Sequence, residues 1–181
     1  MLEDKLLVWK CKHGSKDAFC RIYDKYRDDL LRLAFSLLNE TDMTEDVVHD
    51  VFAAFIRNRR QFRLMGSLKS YLATCVANRA RNENRSHKRR RHSGLDNVDS
   101  VKSDSTRPDR WIMIGDEFRR LNEALAQLPY DQRETVILRA QSGMKFRHIA
   151  DAQHVPIKTV QSRYRAGLDK LRSLLNSEVT Q

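Results

Sequence analysis

Apolar residues recur every three or four positions along most of this chain, the period of amphipathic helices rather than strands. Leu6, Leu7 and Trp9 predict a short helix over residues 3–12, closed at Gly14. From Lys16 to about Leu38, Phe19, Ile22, Tyr26, Leu30, Leu33 and Leu37 form one long stripe. After an Asn39-Glu40-Thr41 loop, Asp42 with Glu45 three residues on has the form of a capping box. It is expected to open a helix to about Arg60, with Val47, Val48, Val51, Phe52, Phe55 and Ile56 as its apolar side. Residues 61–67 interrupt the pattern. Leu68, Tyr71, Leu72, Cys75, Val76 and Ala77 then stripe a further helix, which runs into the basic stretch NRARNENRSHKRRRH.

The pattern stops at Ser93. SGLDNVDSVKSDSTRPD is rich in Ser and Asp and has no apolar stripe, the composition of a flexible linker. Helix is expected again from about Trp111, with Ile114, Phe118, Leu121 and Leu125, ending at Leu128-Pro129. Another spans Asp131 to Gln141. Phe146, Ile149 and Ala150 then give a short helix an apolar face, and His154-Val155-Pro156 breaks it, because proline cannot continue a helix. A last helix restarts near Lys158, with Val160, Tyr164, Leu168, Leu171 and Leu175 on one face. Lys158, Thr159, Gln161, Ser162 and Arg165 fall on the other. Two helices across a tight turn, the second showing polar and basic groups outward, form the pattern of a DNA-reading helix-turn-helix. The expected architecture is all-α: a domain over 1–92, a linker over 93–110 and a helix-turn-helix domain over 111–181.

Charge sharpens this picture. The net charge of +10 and the pI near 9.8 suit a polyanion partner. The excess is uneven: residues 1–92 hold 20 Lys and Arg against 12 Asp and Glu, residues 93–181 hold 14 against 12. Two contact surfaces with different tasks follow. The basic helix mixes Asn78 and Asn82, whose amides suit base edges, with Arg79 and Arg81, whose guanidiniums grip phosphate. Three cysteines without a Cys-x-x-Cys pair read as buried thiols in a reducing compartment. No metal or cofactor is expected, no apolar run is long enough for a membrane span, and no secretory leader is evident, so the expected location is the cytoplasm.

TEDVVHDVFAAFIRNRRQFR followed by GSLKSYLATCVANRARNENR resembles the second region of bacterial sigma factors. ALAQLPYDQRETVILRAQSGMKFRHIADAQHVPIKTVQSRYRAGLDKLRSLL resembles their fourth region. Two regions in this order, with a linker of this size, resemble the extracytoplasmic-function (ECF) group of the sigma-70 family. The resemblance implies a transcription initiation factor that binds core RNA polymerase and promoter DNA. It implies docking of the helix after the capping box, through Asp46, Val47, His49, Asp50 and Phe52, on the clamp coiled coil of the largest polymerase subunit. It also implies a contact with the flap of the second-largest subunit. The loop Arg63, Leu64, Met65, Gly66 and Ser67 is expected to trap a flipped base of the −10 element, with Asn78, Arg79, Arg81 and Asn82 along that element. Lys158, Thr159, Gln161, Ser162 and Arg165 are expected at the −35 element, with Arg163 on the DNA backbone. An anti-sigma protein is a further implied partner. His49-Asp50 stands where the family has Gln-Glu, Tyr71 where it has Trp, and Gln161 where Arg is common, which favours adenine over guanine.

Two other readings have sequence support. A free-standing helix-turn-helix regulator accounts for residues 112–176 but not for the charged helix at 45–60 or the basic helix at 78–91. A nuclease or recombinase would use Asp42, Glu45, Asp46 and Asp50 as metal ligands, yet acids at a helix start ordinarily complement its dipole. No nucleophile or glycine-rich motif accompanies them, so neither catalysis nor a small-molecule substrate is expected.

Overall fold

The computed structural model describes residues 2–64, 66–92 and 115–179, backbone only for 87, 88, 90–92 and 177–179. Within them lie eight helices and no strand. The first four, α1 (Leu2–Lys12), α2 (Lys16–Leu38), α3 (Thr41–Arg57) and α4 (Leu68–His92), form the N-terminal domain. The other four, α5 (Asp116–Ala126), α6 (Tyr130–Ala140), α7 (Phe146–Gln153) and α8 (Ile157–Val179), form the C-terminal one. The expected linker, together with Trp111 and Ile114, lies outside the described residues.

The stripes expected on α2 and α3 are largely the buried faces. By contrast, α1 buries Leu7 with Val8 and Cys11 while the expected Leu6 and Trp9 are exposed, and Tyr71 of the α4 stripe is exposed as well. In the N-terminal domain α2 is the central element, packed by α1, α3 and α4. Ile22, Leu30, Leu33 and Leu37 on α2 meet Val48 and Phe52 of α3 and Leu72 and Val76 of α4, all essentially without solvent exposure. Ser15 starts α2 by accepting a hydrogen bond from the Ala18 N–H at 3.2 Å. The start of α1 is tied down as well. Asp4 is buried and accepts from Lys25 Nζ and from the Tyr26 hydroxyl, both at 2.8 Å. Burial alone pushes the Asp4 carboxyl up, but these hydrogen bonds and the Lys25 charge together hold it below its ordinary range.

One start signal is corrected. The capping box at Asp42 and Glu45 does not form, because Thr41 is already helical and the extended Glu40 is the cap residue, without a side-chain cap bond. Thr44 instead turns its hydroxyl back to the Glu40 carbonyl at 2.6 Å. Asp42 lies within the first turn, where its charge complements the helix dipole. The same helix ends at Arg57 rather than Arg60, in turns closed by Asn58 and Arg59 N–H groups on the last carbonyls.

In the C-terminal domain α8 packs against α5, α6 and α7. Gly167 lets α8 approach α6 closely: a Cβ there would lie 2.8 Å from Val136 Cγ2. Ile137, Leu138, Ile149 and Val160 fill the centre. The break between α7 and α8 is a left-handed cap. His154 has φ 54°, and the Val155 N–H reaches the Ala150 carbonyl at 3.1 Å, six residues closing the turn. Pro156 then supplies the carbonyl for the first N–H groups of α8.

Candidate nucleic-acid interface

The two amino-acid patterns singled out for nucleic acid occupy two helices in different domains. On α8 the arrangement is open. Val160 is fully buried and fixes the rotation of the helix, so Lys158, Ser162 and Arg165 project outward, with Thr159 and Gln161 half-buried beside them. Neither Lys158 nor Arg165 has an ion pair among the described residues. Ile157, 44 % exposed, adds an apolar group at the start of this face. Arg163 sits differently from its neighbours. Its guanidinium donates to Asp131 Oδ2 at 2.5 Å and to Gln153 Oε1 at 2.8 Å, tying α8 to α6 and α7. The helix before the turn is held by Arg139, which donates to the Met144 carbonyl at 2.9 Å and lies 5.0 Å from the Phe146 ring centroid.

On α4 the polar groups are engaged. Asn78, Arg79 and Asn82 are exposed and Arg81 is half-buried. Arg79 pairs with Asp50 of α3 and lies 3.7 Å from Glu83. Arg81 donates to Glu134 Oε1 of α6 at 2.5 Å, a contact between the domains. Glu134 is 1 % exposed. Burial pushes its carboxyl above the ordinary range, while Arg81 and the Gln153 amide pull against that shift.

The loop before α4 is anchored by an aromatic cluster. The Phe62 ring lies 5.2 Å from Phe55 and 4.6 Å from Tyr71, centroid to centroid. Burial raises the Tyr71 phenol to about 12, so it stays neutral. Leu64 leans on the core, while Arg63, Gly66 and Ser67 are exposed and Met65 lies outside the described residues. The Ser67 hydroxyl accepts the Ser70 N–H at 3.4 Å at the start of α4.

On α3 the expected polymerase-binding residues divide in two. Asp46, His49 and Asp50 are exposed along one side. Val47 and Phe52 are each 2 % exposed, and the Phe52 ring packs at a tilt against Tyr23 at 4.7 Å and edge-to-face with Phe19 at 6.2 Å. Their side chains therefore hold the helix rather than form a docking surface, which is a correction of their expected role. Among the described residues no three His, Cys, Asp or Glu groups are arranged to hold a metal ion, and no helix is long and apolar enough to cross a membrane.

Two features escaped the sequence reading. One is an apolar groove of about 360 Å³ on the C-terminal domain, lined by Leu121, Leu125, Ile137, Leu168, Leu171 and Leu175. The other is the charged contact between domains. Glu134 lies three and four residues before Ile137 and Leu138, on the buried side of α6, so the periodicity carried a signal of a buried acid, though not of its partner.

Two segments of the chain match known protein families. Residues 22–90 match Sigma-70 region 2, and residues 118–171 match Sigma-70 region 4. The ECF RNA polymerase sigma factor EcfG of Rhodopseudomonas palustris is 30% identical over 159 residues, 84% of this chain and 86% of the relative. SigX of Bacillus subtilis, also an ECF sigma factor, is 26% identical over 91% of this chain and 88% of its own length. Among solved structures, the sigma factor RpoE of Bartonella quintana, in complex with the anti-sigma factor NepR, superimposes with a TM-score of 0.65. It is 26% identical and covers 86% of this chain and 97% of that one. CnrH, in complex with the cytosolic domain of CnrY, shares the fold at TM-score 0.69 and 22% identity, over 97% of this chain and 98% of that one. The chain belongs to the sigma-70 family of RNA polymerase sigma factors, in its extracytoplasmic-function group.

Proposed function

We propose that this sigma factor reads its promoters at two places, one for each domain. The outward polar face of α8, with Lys158 and Arg165 free of ion pairs among the described residues, carries the reading. That helix enters the major groove at the −35 element, where Gln161 suits adenine and Ser162 and Thr159 suit base edges or phosphates. Arg163, already held by Asp131 and Gln153, sets the tilt of α8 and meets the DNA backbone at the edge of that contact. Asn78, Arg79, Arg81 and Asn82 follow the −10 element, and the exposed loop from Arg63 to Ser67 receives an unstacked base. Capturing that base offsets part of the few kcal/mol needed to unstack it.

The chain acts by binding rather than catalysis, in the cytoplasm with core RNA polymerase. Asp46, His49 and Asp50 present the acidic side of α3 to the clamp coiled coil of the largest subunit. The apolar groove of the C-terminal domain receives the flap of the second-largest subunit. The similar sigma factor RpoE is solved in complex with the anti-sigma factor NepR, which supports control of this chain by a separate inhibitory protein.

Multi-round transcription from genomic DNA fragments, with purified core polymerase and with or without this protein, tests the reading. Discrete start sites that appear only with the protein are expected, sharing two upstream elements. No initiation, together with tight binding to a palindromic duplex in the absence of polymerase, would replace this reading with that of a free-standing regulator.

A further inference from the structure

One amide side chain joins α6, α7 and α8. Gln153 is the last residue of α7, and the left-handed turn at His154 fixes the backbone beside it. Its Oε1 accepts from Arg163 Nη1 of α8 at 2.8 Å. Its Nε2 donates to Glu134 Oε2 at 3.2 Å and to Thr135 Oγ1 at 3.0 Å, both on α6. The Thr135 hydroxyl gives its own proton to the Asp131 carbonyl at 2.7 Å, which leaves its oxygen to accept. Glu134 and Thr135 are buried, so the amide meets them away from water.

The chemistry of its neighbours fixes which way this amide points. A guanidinium only donates and a carboxylate only accepts, so turning the amide over would set like against like at both ends. Arg81 holds the other Glu134 oxygen at 2.5 Å, so the carboxylate is partnered on both sides. Arg163 has a second acceptor, Asp131 Oδ2 at 2.5 Å, but the Asp131 side chain is 55% exposed. So open a pair is screened by water and contributes little. The Gln153 contact is part-buried and has a charged donor, the stronger kind of hydrogen bond. Of the two acceptors, Gln153 therefore decides where the Arg163 side chain lies. Val160 and Gly167 bring α8 against the core, and Arg163, about one turn from each, carries the polar tether between them.

We propose that Gln153 is a positioning residue for promoter recognition. Through Arg163 it fixes the tilt of α8 in the major groove, and so which base edges Thr159, Gln161 and Ser162 meet. It acts through that guanidinium and needs no contact with DNA of its own. The inference rests on the reading of α8 as the −35 helix. A recognition helix must be held within a fraction of an ångström for its polar groups to separate a correct base from a wrong one. Attraction to phosphate carries no sequence information and is far less sensitive to tilt. Loss of the tether is therefore expected to remove discrimination and to spare general affinity for DNA.

The test uses holoenzyme assembled from core polymerase and the full chain. Its probes are promoter fragments mapped by the transcription experiment, with the −35 element intact or scrambled, and the readout is the ratio of the two affinities. Gln153→Leu is expected to lower that ratio about tenfold, with affinity for the scrambled fragment unchanged. Asp131→Asn is expected to lower it by no more than about threefold. Arg163→Ala is expected to lower the ratio as well, and adding Gln153→Leu to it to change nothing further. Gln153→Met keeps the length of the side chain without its amide, and is expected to give the same loss if Gln153→Leu folds poorly. A wild-type ratio in both Gln153 variants overturns the positioning role and leaves α8 as the −35 reader. A further loss on the Arg163→Ala background also overturns it, because Gln153 would then be supporting the fold at large. Wild-type holoenzyme that binds both fragments equally would remove the reading of α8 itself, and this inference with it.

Discussion

Helices α4 and α8 are alike in length and in carrying arginines among amides, yet they stand in different electrostatic states. On α8 the outward Lys158 and Arg165 face solvent without partners among the described residues, whereas Arg79 and Arg81 of α4 are bound to Asp50 and Glu134. At Lys158 and Arg165 a polyanion meets α8 without displacing a protein group, whereas Arg163 of the same helix is held by Asp131 and Gln153. At α4 it must exchange one anion for another. The difference shows that the count of basic residues on a helix does not measure its readiness for DNA. The more basic half of the chain is the half whose key arginines are engaged.

The largest expected effect removes one side of the comparison. Leu138 is fully buried at the centre of the C-terminal domain, and Leu138→Ala is expected to destabilise that domain by about 3 kcal/mol. Chemical unfolding of the full chain should then show a first transition at lower denaturant, with the N-terminal domain unfolding later. A single unshifted transition would show that the domains do not differ as described.

Next comes charge reversal on α3. Asp50→Arg reverses an exposed charge on the proposed polymerase-binding side and frees Arg79 from a solvent-screened pair whose loss costs the fold little. Transcription with core polymerase is expected to fall on the order of a hundredfold, while binding of −35 duplex by the full chain is retained. Equal loss of both would indicate general damage to the fold.

Arg165→Ala probes the open side. Loss of one phosphate contact is expected to weaken duplex binding about equally across sequences and to reduce the salt slope by about one. The smallest effect concerns the N-terminal domain alone. Asp4→Asn is expected to destabilise it by about 1 kcal/mol near neutral pH. Because the folded Asp4 carboxyl lies below the ordinary range, its contribution is full above that range and lost as pH falls through the lower value. Urea midpoints at several pH values should therefore converge for the wild type and the variant in acid.

Much of the fold was legible because helical periodicity reports burial directly. The stripe from Ile22 to Leu37 is buried as the spacing requires, and on α8 Val160 and Leu171 are buried with Tyr164 and Leu168 half-buried between them. Local starts were less secure. Asp42 and Glu45 have the right spacing for a cap, but Thr41 continues the helix past them, and side-chain pattern alone does not fix which backbone N–H is first. Val47 and Phe52 show a second limit. They belong to the same apolar stripe as Val48 and Val51, so their burial was present in the pattern, while the family resemblance offered them as surface. The Arg81–Glu134 pair was not legible. Each residue sits on a helix whose register is clear, but no local rule relates two helices from different domains.

The division of labour between the two helices is tested most directly by changing what one of them reads. Holoenzyme carrying wild-type protein or Gln161→Arg would transcribe a promoter library randomised over both upstream elements, and the productive sequences would be counted. One position in the distal element should change from adenine to guanine, with the proximal element unaltered. A change in the proximal element, or the same preferences in both proteins, would contradict the assignment of α8 to the distal site.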